Sequence, residues 1–299
     1  MRYQVGEMGV GQLLDVAFNV FKDNFKPMIF VAALAFLPVA VITIAVLLGG
    51  LWPMIEQLKT FDAVGTPPEP AVMFATMTPF FVAVFVLAIL WYLTTIISEG
   101  AITFVGASHY LDSPVTPKAA LRYCFSRWWS LLKTSLLIAL IVLALFIVGG
   151  IVIFLVIGGF AFISGGGASG GIMAGLLGVV LGLALLVAVI MVFLRYLLAL
   201  KVVILEGVDG REALGRSALL MKGTYGRSFI LLFLLGVAGN IIGSAANLIP
   251  FLPVAIVLSI AVQVTIYVYS TTVWTMYYFS NRCKHENFDL VLLSEEAAR

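Results

Sequence analysis

Two kinds of hydrophobic pattern alternate along the chain. The first is a long, unbroken apolar run, found at 28–51, 72–98, 132–163, 172–198, 229–249 and 254–279. Each run meets the length of roughly 20 residues needed to cross about 30 Å of hydrocarbon. Backbone N–H and C=O groups in lipid must bond within their own segment, so these runs are predicted to be helices. Transmembrane strands would alternate apolar and polar residues, and no run does so. Pro38 and Pro79 fall inside runs and predict kinks. Trp52 stands where an interfacial aromatic belongs. The connections on that side are a proline-rich loop at 53–70, an uncharged glycine-rich turn at 164–171 and a tight turn at 250–253.

The second pattern is a short amphipathic segment. Val10, Leu13, Leu14, Ala17, Phe18, Phe21 and Phe25 recur at helical spacing, with Gln12, Asp15, Asn19, Lys22 and Asp23 opposite. Thr116 followed by Pro117 is a helix start, a side-chain cap and then proline at the first position. Beyond it Leu121, Cys124, Phe125, Trp128 and Leu132 line one face, and Lys118, Arg122, Ser126 and Lys133 another. A third segment opens at Asp209 with Glu212 three residues on, the spacing of a capping box. Segments of this kind lie in the plane of a membrane surface.

The two patterns recur together. Ala17-Phe18 leads to Phe25 and the first run, Ala120-Leu121 to Trp128 and the third, Ala213-Leu214 to Tyr225 and the fifth. The aromatic follows the alanine by eight residues in two copies and by twelve in the third, one more helical turn. The pattern predicts one membrane domain over 1–299 built of three pseudo-repeats, at about 7–112, 113–207 and 208–285, with a short polar tail at 281–299. The fold expected is an all-α integral membrane protein: six transmembrane helices as three hairpins, each preceded by a cytoplasmic interfacial amphipathic helix.

Composition agrees. Of 299 residues, 62% are hydrophobic and 11% charged, and the mean hydropathy is +1.13. Soluble domains carry about 25% charged residues. A net charge of +2 is too small to indicate a nucleic-acid partner. The placement of charge says more. Arg2, Lys22, Lys26, Lys118, Arg122, Arg127, Lys133, Lys201, Arg211, Arg216, Lys222, Arg227, Arg282, Lys284 and Arg299 all fall on one side of the expected membrane, and Lys59 alone on the other. The positive-inside rule makes the basic side, with both termini, cytoplasmic. Cys124 and Cys283 then lie in a reducing compartment as free thiols. The first apolar run starts too far in and is too long for a cleaved signal peptide.

The phrase VVILEGVDGREALGRSALLMKG, through Glu206-Gly207, Ala213-Leu214, Arg216-Ser217, Leu220 and Lys222-Gly223, resembles the multi-pass membrane domain found in front of some bacterial glycerophosphodiester phosphodiesterases and in related membrane proteins. The N-terminal GQLLDVAFNVFKDNF and the tail HENFDLVLL are similar to that family too. The resemblance implies a six-helix protein of the bacterial inner membrane. It does not imply phosphodiesterase activity, because no stretch supplies the soluble catalytic domain with its metal-binding carboxylates and histidines.

Catalytic groupings are not evident. His109 and His285 have no partners at metal-ligand spacing and read as ordinary surface histidines; there is no P-loop, GxSxG or HExxH. No cofactor is expected. Two residue sets remain. Lys118, Arg122, Arg127, Lys133, Arg211, Arg216, Lys222 and Arg227 face the headgroups and are candidate anionic-lipid contacts. Glu99 and Arg195 approach the cytoplasmic boundary and are candidates to pair between the second and fourth spans. Asn240, Ser244 and Asn247 in the fifth run, with Gln263, Tyr267, Ser270 and Thr271 in the sixth, predict a polar seam that is either helix packing or a solute path. Gly171, Gly175, Gly178 and Gly182 share one side of the fourth run and suggest close helix contact. The function expected is a non-enzymatic scaffold or lipid-organising subunit, partnered by anionic lipid and by further copies or other membrane proteins. The alternative is a transporter of a small or lipid-like solute along the seam.

Overall fold

The computed structural model describes residues 5–64, 70–163, 168–245 and 252–297. All the secondary structure in them is helical: α1 (Val10–Asp23), α2 (Phe25–Val64), α3 (Pro70–Tyr110), α4 (Pro117–Ser126), α5 (Trp128–Ile163), α6 (Ala168–Tyr196), α7 (Ala199–Leu205), α8 (Gly210–Leu220), α9 (Tyr225–Ala245), α10 (Leu252–Glu286) and α11 (Phe288–Ala297). Five segments are long and apolar enough to cross a membrane: Phe25–Val46, Met77–Tyr110, Trp128–Phe160, Gly171–Leu205 and Tyr225–Ser244. The described part of α10 is richer in Thr, Tyr and Ser and is not among these five.

Several boundaries differ from the sequence reading. Residues 53–64, expected in a loop, continue α2, and residues 99–110 continue α3. Residues 168–171 of the glycine-rich turn begin α6, while 164–167 lie outside the described residues, as do 65–69 of the proline-rich loop and 250–251 of the tight turn. The tail is helical rather than merely polar. Asn287, at φ 52°, turns the chain from α10 into α11, which exposes Leu290, Val291 and Leu293.

Short helices α1, α4 and α8 form at the three places where amphipathic segments were expected, and α2, α5 and α9 open at Phe25, Trp128 and Tyr225. Ala17, Ala120 and Ala213 are all fully buried, so each short helix turns the same small residue against the protein. The caps are less uniform. The Thr116 hydroxyl accepts from the Ala119 N–H at 3.3 Å, but the Asp209 side chain makes no cap bond; it accepts from Lys133 Nζ at 2.9 Å.

Packing follows a ring. Helix α2 packs on α3 and α5 on α6, while α10 touches α9 but packs more extensively on α1 and α3; α4 docks mainly on α3 and α2, α8 on α5, α6 and α7, and α1 chiefly on α10. Each short helix therefore straps the long pair that it introduces to a different pair. The buried core gathers where these straps cross, from Met8 to Ala32, Ile96 to Tyr110, Leu194 to Ile204, Ala213 to Met221 and Val268 to Phe279. Away from it the long helices bury little: the most apolar windows of Trp128–Phe160 and Gly171–Leu205 have no buried residue. That division is physical. Burying apolar surface stabilises a fold by roughly 25 cal/mol per Å² only when the alternative is water; between helices already in lipid this drive is absent.

Candidate functional site

The residues with chemistry gather at the end of the molecule where the short helices lie. Ion pairs cross-link its elements. Lys201 of α7, 2% exposed, pairs with Glu99 of α3. Glu99 thus makes an interhelical contact, but not with Arg195, the other candidate for that pairing. The chain leaves helix at Leu197 and Leu198 and restarts as α7, which turns Lys201 inward, while Arg195 stays exposed with its guanidinium carbon 5.8 Å from the Tyr196 ring centre.

A second cluster joins the turn after α7 to α8 and the end of α10. Arg216 Nε donates to Glu206 at 2.7 Å, and Arg216 also pairs with Glu286. Tyr278 Oη donates to the other Glu206 oxygen at 2.7 Å. Arg282 Nε donates to Glu286 at 3.0 Å and lies 4.0 Å over the Phe288 ring of α11. Partial burial opposes the charge on Arg216, but the carboxylates of Glu286 and Glu206 outweigh it and raise its pKa. Burial likewise works against the Glu286 carboxylate, and the guanidiniums of Arg216 and Arg282 prevail and lower its pKa.

A third set fastens the turn between α7 and α8 to α4 and α5. Tyr123 Oη donates to the Ile204 carbonyl at 3.2 Å, and the Gly210 N–H donates to Thr134 Oγ1 at 2.8 Å. Arg127 lies over the Tyr123 ring and against Gly207, whose φ of +80° favours glycine; a Cβ there would stand 2.9 Å from an Arg127 nitrogen, which would have to shift. The N-terminus is tied in as well, by Arg227 to Glu7 at 3.1 Å and by the Met8 N–H to Ser280 Oγ at 3.0 Å.

These contacts divide the eight cations proposed for lipid. Arg216, Arg227 and Lys133 are held by carboxylates, Lys133 by Asp209. The side-chain hydrogen bond from Lys133 lowers the Asp209 pKa. Arg127 is committed to Tyr123. Lys118, Arg122, Arg211 and Lys222 are exposed and have no carboxylate partner among the described residues. On the short helices and their junctions Phe18, Phe125, Trp128, Trp129 and Leu219 are also exposed.

The polar seam is rearranged. Asn240, Ser244 and Gln263 do line one cleft between α9 and α10, of about 440 Å³, with Gly236, Gly239 and Gly243. Asn240 and Ser244 bond to carbonyls of their own helix, Gly236 and Ile241. Tyr267 turns away from α9 and donates to the Thr95 carbonyl of α3 at 3.2 Å. Thr271 bonds the Tyr267 carbonyl within α10, Ser270 is half-buried, and Asn247 lies outside the described residues. The contact between α3 and α10 was not anticipated; in its buried part Thr275 approaches Thr103 at 3.5 Å. The glycine face of α6 splits too. A Cβ at Gly178 would meet Ile157, whereas Gly171, Gly175 and Gly182 face open space.

The histidines and cysteines are placed as follows. His285 is exposed, and His109 is half-buried rather than on the surface. Cys124 and Cys283 are free and buried. No group of His, Cys, Asp and Glu able to hold a metal ion occurs among the described residues. Comparison with protein-family models, curated proteins and solved structures finds no match to this chain.

Proposed function

We propose that this protein is a non-enzymatic, multi-pass component of a bacterial inner membrane that gathers anionic lipid at its cytoplasmic face. In this reading α10 is the sixth span, the three amphipathic helices lie in the cytoplasmic headgroup layer, and both termini are cytoplasmic. The recurrence of buried Ala17, Ala120 and Ala213 and of helix-opening Phe25, Trp128 and Tyr225 supports three repeats of one unit. The large unburied surfaces of α5 and α6 suit lipid or further copies. The resemblance to the phosphodiesterase-linked membrane domain belongs to the same reading.

One observation carries it: Lys118, Arg122, Arg211 and Lys222 stand exposed without carboxylate partners among the described residues, and Phe125, Trp128 and Trp129 are exposed as well. Cations left free at such a surface each contribute about 1 kcal/mol toward an anionic leaflet, and the aromatics favour the interface. The test is lipid analysis of protein purified from membranes of mixed composition. Phosphatidylglycerol should be enriched over its bulk fraction, and Lys118→Gln/Arg122→Gln/Lys222→Gln should reduce that enrichment. No enrichment in the wild-type protein overturns the proposal.

A second reading, passage of a small or lipid-like solute, is favoured by the cleft at Asn240, Ser244 and Gln263, which lies in a stretch with no charged residue between Arg227 and Arg282. A spin label at Gln263→Cys separates the two. Relaxation by a water-soluble agent supports passage, and relaxation by oxygen alone supports a dry packing seam.

A further inference from the structure

We propose that Arg195 and Arg211 form a discrete site for the phosphate of one anionic phospholipid, in the cleft where α8 crosses the α5/α6 pair. This deepens the lipid-gathering reading and rests on it. The cleft measures about 270 Å³ and is lined by Ile141 of α5, Arg195 and Tyr196 of α6, and Arg211, Leu214, Gly215 and Ala218 of α8. Two exposed arginines line it, and neither has a carboxylate partner among the described residues. This separates the cleft from the rest of the charged end, where Arg216, Arg227 and Lys133 are each already matched by an acid.

The frame of the cleft is fixed. Ser217 Oγ donates to the Arg195 carbonyl at 3.0 Å, holding the end of α6 to α8, and the Arg195 guanidinium lies over Tyr196. Gly215 leaves room, because a Cβ there would meet no atom within 4 Å. The site has the polarity of a phospholipid. Guanidiniums give planar, bidentate recognition of phosphate oxygens. Met191 and Val187, one and two turns before Arg195 on α6, are exposed and apolar and continue the line that an acyl chain would follow. The volume suits a headgroup, with the chains left along the helix surface.

The experiment is native mass spectrometry of the detergent-purified full chain titrated with phosphatidylglycerol, phosphatidylcholine or inorganic phosphate. The expected wild-type result is one phosphatidylglycerol adduct that outlasts the others on activation and is not displaced by millimolar phosphate. Arg195→Gln/Arg211→Gln should weaken that adduct about tenfold or more, as loss of two such contacts implies, while Lys118→Gln/Arg122→Gln leaves it in place. Gly215→Leu fills the cleft without removing charge and should also abolish the adduct; it serves if the arginine variant fails to fold. An adduct that survives both Arg195→Gln/Arg211→Gln and Gly215→Leu overturns the site alone. A wild-type protein that shows no preference for phosphatidylglycerol over phosphatidylcholine overturns the broader lipid reading with it. A site that takes inorganic phosphate but no lipid adduct refutes the lipid assignment and makes the ligand a free anion.

Discussion

Lys201 is almost sealed from solvent, and the carboxylate that compensates it, Glu99, comes from a helix far away in the chain. Breaking a buried pair at one end strands a charge and costs about 3–5 kcal/mol, whereas replacing both partners with apolar or neutral groups is often neutral. Glu99→Gln, which leaves the Lys201 ammonium buried and unpaired, is therefore expected to lower the thermal midpoint in detergent strongly, with Lys201→Met lowering it less because the Glu99 carboxylate left behind is partly exposed. Lys201→Met/Glu99→Gln should recover most of the loss. A double variant as unstable as the sum of the singles would refute the pairing.

The Arg216 cluster predicts a pH dependence. The Glu286 pKa is lowered in the folded state by Arg216 and Arg282. A carboxylate with a folded pKa below its unfolded value, near 4.3 for glutamate, contributes stability above that value and loses it as pH falls through the lowered one. Wild type should be more stable than Glu286→Gln at pH 7, with the gap closing below about pH 4. Thermal scans of both proteins across that range check it; a gap that widens on acidification contradicts the cluster.

The parts of this arrangement that were legible in the sequence are those set by local periodicity. The aromatics 25, 128 and 225 open long helices, and the alanines 17, 120 and 213 are buried, because amphipathic spacing and small size at a crossing are local properties. Partner choice was not legible. Arg195 and Lys201 both approach the same boundary, and only the interruption at Leu197 and Leu198 decides that Lys201 turns inward. Similarly, Tyr267 shares a helical face with Gln263, but α10 is bordered by α1, α2, α3 and α9, and its tyrosine finds the Thr95 carbonyl on α3. Helix α11 hid behind Asn287, whose positive φ redirects a chain that reads as a short polar tail.

Both cysteines should resist alkylation while the protein is folded. Burial pushes the Cys124 thiol up to about 12 and that of Cys283 up to about 11, so little thiolate exists near pH 8 and access is blocked. A maleimide reagent at pH 7.5 should label neither in native protein and both after denaturation in sodium dodecyl sulfate. Rapid native labelling of Cys124 would mean that α4 leaves its place on α3.

Orientation can be read from single cysteines introduced into this unreactive background. Lys118→Cys should react with a membrane-impermeant maleimide only after cells are opened, and Ser164→Cys, in the turn expected on the far side, should react in intact cells. The reverse pattern would invert the assignment drawn from the basic residues and remove the cytoplasmic leaflet from the lipid proposal.

The α5/α6 pair predicts an order among three glycine replacements. An added methyl at Gly149 would lie 2.5 Å from Leu185 Cδ1, 3.0 Å from Cδ2 and 3.2 Å from Cγ, so the whole leucine head must move. At Gly178 it would meet Ile157 Cδ1 at 2.7 Å, with the next atom at 3.6 Å, and a turn of one methyl relieves it. At Gly175 it meets nothing. Alanine gains up to about 1 kcal/mol of helix propensity over glycine, and overpacking costs about 1–3 kcal/mol. Gly149→Ala should therefore be the least stable of the three, Gly178→Ala near wild type, and Gly175→Ala equal to wild type or better; Leu185→Ala should restore Gly149→Ala. Thermal melts give the order, and size-exclusion chromatography of Gly175→Ala reads a separate question, because a shift in oligomer size would place that open glycine face against a second copy. Gly149→Ala as stable as Gly175→Ala would mean that α5 and α6 do not meet at Leu185.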